Sequence, residues 1–145
     1  MKRKLQRFAE MKTFPHVFQP VLQEVFNTDY KYKGKWNEKV FKNSNPVVVE
    51  LGCGKGEYTV GLAERNPDKN FIGIDIKGAR IWKGAKKSLE QNMSNVAFVR
   101  THIEFVASVF APGEVSEIWL TFPDPQPKKP LKRLSSSRFL TIYKN

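Results

Sequence analysis

Cysteine and long apolar segments are almost absent from this 145-residue sequence, whose single cysteine is Cys53. One cysteine cannot form an internal disulfide bond, and it excludes a cysteine-rich metal site. No apolar run approaches the ~20 residues that a membrane-spanning helix needs. Residues 1–5 are basic, but no apolar segment follows them as in a signal peptide. We therefore expect a cytoplasmic protein with no metal site and no membrane partner.

Acidic residues are also scarce, since 14 Asp and Glu stand against 25 Lys and Arg, for a net charge of +11. The excess is confined to the two ends: residues 1–45 carry +6, residues 46–125 carry −1 and residues 126–145 carry +6. Basic segments around a near-neutral module favour a polyanionic partner, nucleic acid above all. We predict a basic N-terminal extension at residues 1–45 and a folded domain at residues 46–145.

The predicted domain alternates between strand and helix patterns. Short β-branched or aromatic runs bounded by turn residues predict strands at residues 46–51, 71–75, 96–100 and 117–122. Helices are predicted at residues 57–65, 78–93, 103–110 and 135–143. This alternation predicts an α/β fold with a parallel sheet of four strands, in the order 3-2-1-4, and with helices on both faces.

Residues 1–45 have a less regular pattern. We predict a helix at residues 17–26. The sequence Tyr-Lys-Tyr-Lys-Gly-Lys-Trp at residues 30–36 is interpreted as an exposed basic-aromatic loop.

The turn after the first predicted strand carries three glycines, Gly52, Gly54 and Gly56. Glycine permits positive φ and lets a ligand approach the backbone closely. Open α/β sheets bind ligands at the carboxyl ends of their strands, so a cofactor is expected at this turn. The second predicted strand ends at Asp75, whose carboxylate can accept hydrogen bonds from both hydroxyls of an adenosine ribose. The glycine turn and this acid together predict a nucleotide-like cofactor.

The spacing and charge of the turn favour one class of cofactor. A dinucleotide-binding G-x-G-x-x-G motif needs a glycine at position 57, where the sequence has Glu57. Glu50, just before the glycines, would repel a pyrophosphate but suits a cation such as the amino group or sulfonium of S-adenosylmethionine. S-adenosylmethionine is therefore the predicted cofactor. A nicotinamide or flavin, or glycines that only form a tight turn, are the alternatives.

A second group of candidate residues follows the fourth predicted strand. Asp124 lies between two prolines, which restrict the backbone around it. A similar D/N-P-P-Y/F/W loop holds the target nitrogen in methyltransferases that act on amines and nucleobases. The next residues form a basic segment that includes Lys128, Lys129, Lys132 and Arg133. A phosphate bound by this segment would leave a base near Asp124.

These motifs resemble those of the bacterial tRNA (guanine-N7-)-methyltransferases. The resemblance rests on V-E-L-G-C-G-K-G at residues 49–56, I-G-I-D at 72–75, F-x-P-G-E-V at 110–115 and F-P-D-P-x-P-K-K at 122–129 with K-R-L at 132–134. It implies the Rossmann-like class I S-adenosylmethionine-dependent methyltransferase fold, and methyl transfer to N7 of a guanine in the variable loop of tRNA. Glu50 and Asp75 would hold the cofactor. Asp124 would lie at the reaction centre, where it would also contact the cofactor, and Lys128 would contact the substrate.

The sequence departs from the family pattern after the third strand and after the fourth. The family has an acidic residue at the start of the helix after strand three, where this sequence has Thr101 and His102. These two residues are therefore the candidates for contact with the adenine side of the cofactor. The family fold has seven strands, and its further substrate motifs have no counterpart after the fourth strand here. We therefore expect residues 46–145 to be the N-terminal part of a methyltransferase domain that is truncated at its C-terminal end, with only the first four strands present. We expect weak or absent catalysis by the 145-residue chain, even where it binds cofactor.

Two other functions fit the same residues. One is a non-catalytic RNA-binding module with a vestigial cofactor site. The other is a methyltransferase that acts on another nucleobase or on an amine. The sequence also leaves open whether the protein is a monomer or a dimer.

Overall fold

The computed structural model describes residues 2–120, so the predicted helix at residues 135–143 lies outside the described part of the chain. The strands are β1 (Val17–Phe18), β2 (Val47–Leu51), β3 (Asn70–Asp75), β4 (Val96–Arg100) and β5 (Glu117–Leu120). The α-helices are α1 (Lys2–Met11), α2 (Leu22–Val25), α3 (Glu57–Arg65), α4 (Gly78–Glu90) and α5 (Val106–Val109). A π-helix spans Trp36–Phe41, and a 3-10 turn spans Ile103–Phe105.

The five strands within residues 2–120 form one parallel sheet in the order β1-β4-β3-β2-β5. All four predicted strands are present, and their order is the predicted one. The central strand β2 pairs with β3 and β5, so that Val49 lies between Ile72 and Ile118. All five β2 residues are buried, as expected of a strand whose two faces are both covered. The predicted α/β fold with a parallel sheet is therefore confirmed.

A fifth strand, β1, lies at the edge of the sheet, in a segment where the sequence predicted a helix over residues 17–26. That prediction is wrong, because Val17 pairs with Phe98 of β4 and the helix α2 begins only at Leu22. Pro20 accounts for the break, since proline has no amide hydrogen and disfavours the helical conformation at the residue before it. Val17 and Phe18, which precede Pro20, pair instead with strand β4.

The other helices differ from prediction mainly at their ends. α3 has the predicted bounds, and α4 ends at Glu90 rather than at residue 93. The predicted helix at residues 103–110 is a 3-10 turn that continues into α5. The alternation of strand and helix that defines the fold is unaffected by these differences.

The aromatic residues of segment 30–36 belong to the core, so the predicted exposed loop is wrong. The side chains of Tyr30 and Trp36 are only 5% and 0% exposed. Their rings stack with centroids 6.2 Å apart, and Trp36 Nε1 donates a hydrogen bond to the carbonyl of Val109 (2.9 Å). Burial of such large rings is strongly stabilising, while the charged Lys31 between them stays exposed.

The sheet separates two apolar cores, because successive side chains of a strand point to opposite faces. Val47 and Val49 of β2 face the core that contains Trp36 and α5. Val48 faces the other core, in which α1, α3 and α4 pack around Phe98. The second core lies beside the glycine turn and therefore positions it.

His16 links the start of β1 to α4 through a neutral imidazole. His16 Nε2 lies 3.0 Å from the carbonyl oxygen of Ala85 and 2.9 Å from Ser88 Oγ. The carbonyl can only accept, so Nε2 carries the hydrogen. His16 Nδ1 is buried and has no hydrogen-bond partner among the described residues. Burial outweighs the favourable bond to Ala85 and lowers the pKa of His16.

We expect the free energy of unfolding to decrease as the pH falls below the ordinary histidine pKa of about 6.5. The unfolded chain then binds a proton that folded His16 does not accept until its lower pKa is reached. The stability that neutral His16 contributes is therefore fully present above about pH 6.5 and is lost as the pH falls from there to the lower folded pKa, with a slope of at most about 1.4 kcal/mol per pH unit.

Urea unfolding of the wild type and of His16→Gln, between about pH 7.5 and 5.5, measures this effect. Glutamine keeps an N–H donor but does not titrate. The free energy of unfolding should therefore decrease less in the variant than in the wild type as the pH falls. The same pH dependence in both proteins would show that His16 is not the responsible group.

Candidate functional site

The candidate site lies at the carboxyl edge of the sheet, the edge at which Leu51, Asp75 and Arg100 end three neighbouring strands. The glycine loop, residues 52–56, connects β2 to α3 at this edge. Ligands of open α/β sheets bind outside this edge, where loops and helix N-termini converge. The predicted cofactor residues within residues 2–120 therefore lie along one edge of the sheet, where they can contact the same ligand.

The three glycines of the loop have different surroundings although all have positive φ. The φ angles are +71° at Gly52, +56° at Gly54 and +74° at Gly56. Residues other than glycine rarely adopt backbone conformations in this region. A Cβ built on Gly52 or Gly54 would meet no atom within 4 Å. A Cβ on Gly56 would lie 2.9 Å from the ring of Phe98. Two glycines thus border open space, and the third is required by packing.

Asp75 ties the glycine loop to the start of α4. Its Oδ2 accepts a hydrogen bond from Gly54 N (2.9 Å), and its Oδ1 accepts one from Lys77 N (2.9 Å). The carbonyl of Ile74 just before it accepts hydrogen bonds from Gly52 N and Cys53 N. The carboxylate is partly exposed, and each oxygen can accept a second hydrogen bond. Asp75 can therefore hold the loop and accept a ligand donor at once.

Close approach of α4 to the loop depends on further glycines. A Cβ on Gly84 would lie 2.7 Å from the carbonyl oxygen of Lys55, and one on Gly73 would lie 2.9 Å from the ring of Phe98. Phe98 itself is completely buried. The loop is consequently held between β3, β4 and α4, and its backbone conformation is set before any ligand arrives.

Glu50 is buried at the end of β2, next to the glycine loop. Its side chain is 5% exposed, and Oε1 accepts a hydrogen bond from Thr59 Oγ1 at 2.5 Å. Thr59 belongs to the first turn of α3, so this bond joins the strand to the helix that follows the loop. The hydrogen bond holds the Glu50 side chain in place at the carboxyl edge, beside the glycine loop.

Cys53 is a packing residue of the loop. The thiol is buried, and burial raises the pKa of Cys53, with Asp75 and Glu50 contributing in the same direction. A nucleophilic cysteine needs a thiolate, which these surroundings disfavour. We therefore assign Cys53 no chemical role.

Thr101 and His102 follow β4 at the same edge. Thr101 is buried, and its backbone N donates a hydrogen bond to the carbonyl of Asp75 (3.1 Å). The imidazole of His102 is exposed, with its ring 6.2 Å from that of Phe105. Of the two, only His102 has a side chain that a ligand could reach, whereas the side chain of Thr101 is buried.

All seven predicted cofactor residues within residues 2–120 lie at or beside the carboxyl edge, on the segments that follow β2, β3 and β4. The other predicted site residues lie outside the described part of the chain: Asp124, Lys128, Lys129, Lys132 and Arg133. Sequence reasoning missed two residues, Thr59 as the partner of Glu50 and Gly84 as the contact of the loop. A glycine in the middle of a helix was the available signal for Gly84, because it is unfavourable there without a packing reason.

Two kinds of site find no support among residues 2–120. No group of three or more His, Cys, Asp or Glu side chains in this range is arranged to hold a metal ion. None of the helices described is long and apolar enough to cross a membrane.

Comparison with known families decides the family of the chain. Residues 44–145 match a family model described as "Putative methyltransferase". The chain belongs to this methyltransferase family. The match begins just before β2 and includes the glycine loop, Asp75 and the segment after β5. Together with the curated relatives, it confirms the resemblance found in the sequence motifs.

Curated relatives of the chain are named tRNA (guanine-N(7)-)-methyltransferase. That of Christiangramia forsetii is 59% identical over 99% of this chain and 65% of its own length. That of Porphyromonas gingivalis is 60% identical over 92% of this chain and 55% of its own length. The chain thus spans somewhat more than half the length of these relatives.

Solved structures support the same fold. A 16S rRNA (adenine(1408)-N(1))-methyltransferase from Catenulisporales acidiphilia, whose structure contains the cosubstrate SAM, has a TM-score of 0.52 to this chain. The two are 19% identical, and the match covers 67% of this chain and 44% of the other. At this identity the likeness supports the Rossmann-like methyltransferase fold alone.

Proposed function

We propose that the protein transfers a methyl group from S-adenosylmethionine to N7 of a guanine in the variable loop of tRNA. The observation that carries the proposal is the carboxyl edge, where two glycines with positive φ border open space beside the Asp75 carboxylate. The names of the curated relatives, at 59% and 60% identity, support the choice of reaction and substrate.

S-adenosylmethionine fits the residues at this edge. Gly52 and Gly54 leave a space that any side chain would fill, so a cofactor can lie directly against the backbone. Asp75 would accept hydrogen bonds from the ribose hydroxyls while it still holds Gly54 N. The buried Glu50 would favour the positive charge of the cofactor's amino acid part or sulfonium. Thr101 and His102 would border the adenine side.

Methylation at N7 of guanine requires little acid–base catalysis by the protein. S-adenosylmethionine supplies an activated methyl group, and N7 already carries a lone pair, so no base has to remove a proton. The protein's main task is alignment of the two reactants, which can supply roughly 7–11 kcal/mol of the barrier. In our proposal Asp124 stabilises the positive charge that develops on the base. Lys128, Lys129, Lys132 and Arg133 bind the substrate phosphates.

The decisive experiment uses the 145-residue chain at a concentration equal to that of tRNA, so that even a slow reaction is visible. Bulk tRNA lacking 7-methylguanosine is incubated with S-adenosylmethionine labelled in the methyl group, and the nucleosides are then separated. We expect the label in 7-methylguanosine alone, and saturable binding of S-adenosylhomocysteine to the same chain. Label in a different nucleoside would indicate the alternative base specificity, and absence of saturable binding would indicate a vestigial cofactor site.

A further inference from the structure

A basic groove lies between α1 and α4, and no part of the proposed catalytic edge uses it. Its cavity has a volume of about 740 Å³ and is open to solvent. The residues that line it and carry the inference are Arg3, Gln6, Arg7, Glu10, Trp82 and Lys86. We call this surface the α1–α4 groove.

The cations of the α1–α4 groove are arranged around one indole ring. The guanidinium carbon of Arg7 lies 4.3 Å from the ring centroid of Trp82, and Lys86 Nζ lies 5.1 Å from it. Glu10 accepts hydrogen bonds from Trp82 Nε1 (2.6 Å) and from Lys86 Nζ (3.3 Å). Side chains held in this way lose less conformational entropy when they bind a ligand.

The Nε of Arg7 is buried and has no hydrogen-bond partner within residues 2–120, so a ligand in the groove would have to bind the outer nitrogens of the guanidinium. A guanidinium presents several N–H donors in a plane, an arrangement that matches the oxygens of a phosphate. The stacking on Trp82 therefore orients a donor group whose natural complement is an anion.

The two helices that form the groove carry a large excess of positive charge. Helices α1 and α4 together contain eight Lys or Arg residues and two acidic ones. One of the acids, Glu10, is engaged with Trp82 and Lys86. Such a density of positive charge attracts a phosphodiester chain in preference to a single small anion.

The position of the groove connects it to the carboxyl edge. Phe8 packs at Gly78, the first residue of α4, and Glu10 contacts Lys86 two turns further along that helix. The contact between the two helices therefore extends from the start of α4 along its length. Because α4 begins three residues after Asp75, one end of this contact lies near the edge assigned to the reaction.

We infer that the α1–α4 groove binds the phosphodiester backbone of the RNA substrate at a distance from the nucleotide that is methylated. The inference rests on the proposed function for the identity of the RNA. It assigns Arg3 and Arg7 to phosphate contacts, and it assigns Trp82, Glu10 and Lys86 to the support of that arrangement. The groove holds substrate in place and takes no part in the chemical step.

The test compares RNA affinity in two double variants of the 145-residue chain. Arg3→Gln/Arg7→Gln removes two charges from the groove. Lys31→Gln/Lys39→Gln is the matched control, because Lys31 stacks on Tyr32 as Arg7 does on Trp82 and Lys39 is exposed on the π-helix. Binding of a labelled tRNA transcript is followed by fluorescence anisotropy in the presence of S-adenosylhomocysteine.

We expect the groove variant to bind tRNA about 10- to 100-fold more weakly at low salt, with the slope of log K against log salt reduced by about 1.5. The control should remain within about threefold of the wild type, since it leaves the groove intact. Equal losses in both variants, or wild-type affinity and slope in the groove variant, would overturn the inference. Absence of tRNA binding by the wild type would overturn it as well.

Further measurements distinguish phosphate contact from a folding defect and from an acidic protein partner. Circular dichroism and S-adenosylhomocysteine affinity should be unchanged in Arg3→Gln/Arg7→Gln, and the single variant Arg3→Gln, which lacks the stacking role, should show part of the same loss. Polyglutamate that competes as well as RNA would indicate an acidic protein partner and contradict our assignment. Loss of tRNA affinity in the groove variant, together with label in another nucleoside or no saturable binding of S-adenosylhomocysteine by the wild type, would support the groove and refute the proposed reaction.

Discussion

Gly56→Ala should lower the free energy of unfolding by roughly 2–5 kcal/mol, whereas Gly52→Ala should lower it by only about 1–2 kcal/mol. Both residues have positive φ, so alanine introduces backbone strain at each. Only at Gly56 would the new methyl group also lie 2.9 Å from Phe98 and 3.2 Å from the Cα of Gly84. Because Phe98 is completely buried, its ring cannot move aside without disturbing the core.

The opposite ranking is expected for cofactor affinity. The methyl group of Gly52→Ala would extend into the open space beside the loop, where we place S-adenosylmethionine. This variant should remain folded and bind S-adenosylhomocysteine at least about tenfold more weakly, which corresponds to about 1.4 kcal/mol.

Urea unfolding followed by circular dichroism gives the two stabilities, and isothermal titration calorimetry gives the affinities. Gly61→Ala serves as the control, since Gly61 lies in α3 with open space around it and an ordinary φ. It should be neutral or stabilising, because alanine favours a helix. Equal destabilisation by Gly52→Ala and Gly56→Ala would mean that the packing difference between the two glycines is unimportant. Unchanged S-adenosylhomocysteine affinity in Gly52→Ala would show that the cofactor does not bind against this part of the loop.

Asp75→Asn should reduce the affinity for S-adenosylhomocysteine by about 100-fold, or about 2.7 kcal/mol. The carboxylate accepts hydrogen bonds from Gly54 N and Lys77 N through separate oxygens, and asparagine replaces one oxygen by an NH₂ group. One backbone donor then loses its acceptor, and the ribose hydroxyls lose a charged partner. A loss of about 1–3 kcal/mol in stability should accompany the loss of affinity.

Isothermal titration calorimetry measures the affinity, with Asp68→Asn as the matched control. Asp68 is exposed in the turn before β3, so the same loss of charge there should leave binding unaltered. An Asp75→Asn protein that binds within about twofold of the wild type would remove Asp75 from the cofactor site. A loss of equal size in Asp68→Asn would indicate a general effect of net charge.

The carboxyl edge was largely accessible to sequence reasoning because it follows from local rules. A buried β-branched strand, three closely spaced glycines and a helix pattern are adjacent in the chain, and the acid at Asp75 ends the next strand. Parallel connectivity then requires both to lie at one edge. The hydrogen bond between Thr59 and Glu50 could not be predicted from the sequence, because a threonine in the first turn of a helix can equally well bond to nearby backbone groups.

Burial of the N-terminal aromatic residues could not be read from the sequence. Lysines alternate with Tyr30 and Tyr32, and this local pattern is equally typical of an exposed loop. The rings are buried because distant segments pack around them, such as the one that contains Val109, which lies 73 residues after Trp36 and accepts its hydrogen bond. Likewise, β1 exists because β4 offers a free edge, which no pattern within residues 17–18 contains.

The sequence by itself determined the parallel α/β sheet, the glycine loop and the position of Asp75, since strand and helix periodicity and glycine conformation are properties of short segments. The tertiary structure decided which glycines border open space and which meets Phe98, and it decided that α1 lies along α4 to form the basic groove. These features depend on side chains from distant segments that meet only when the two cores pack on the sheet. Local patterns limit the possible structures, and contacts between distant residues select one of them.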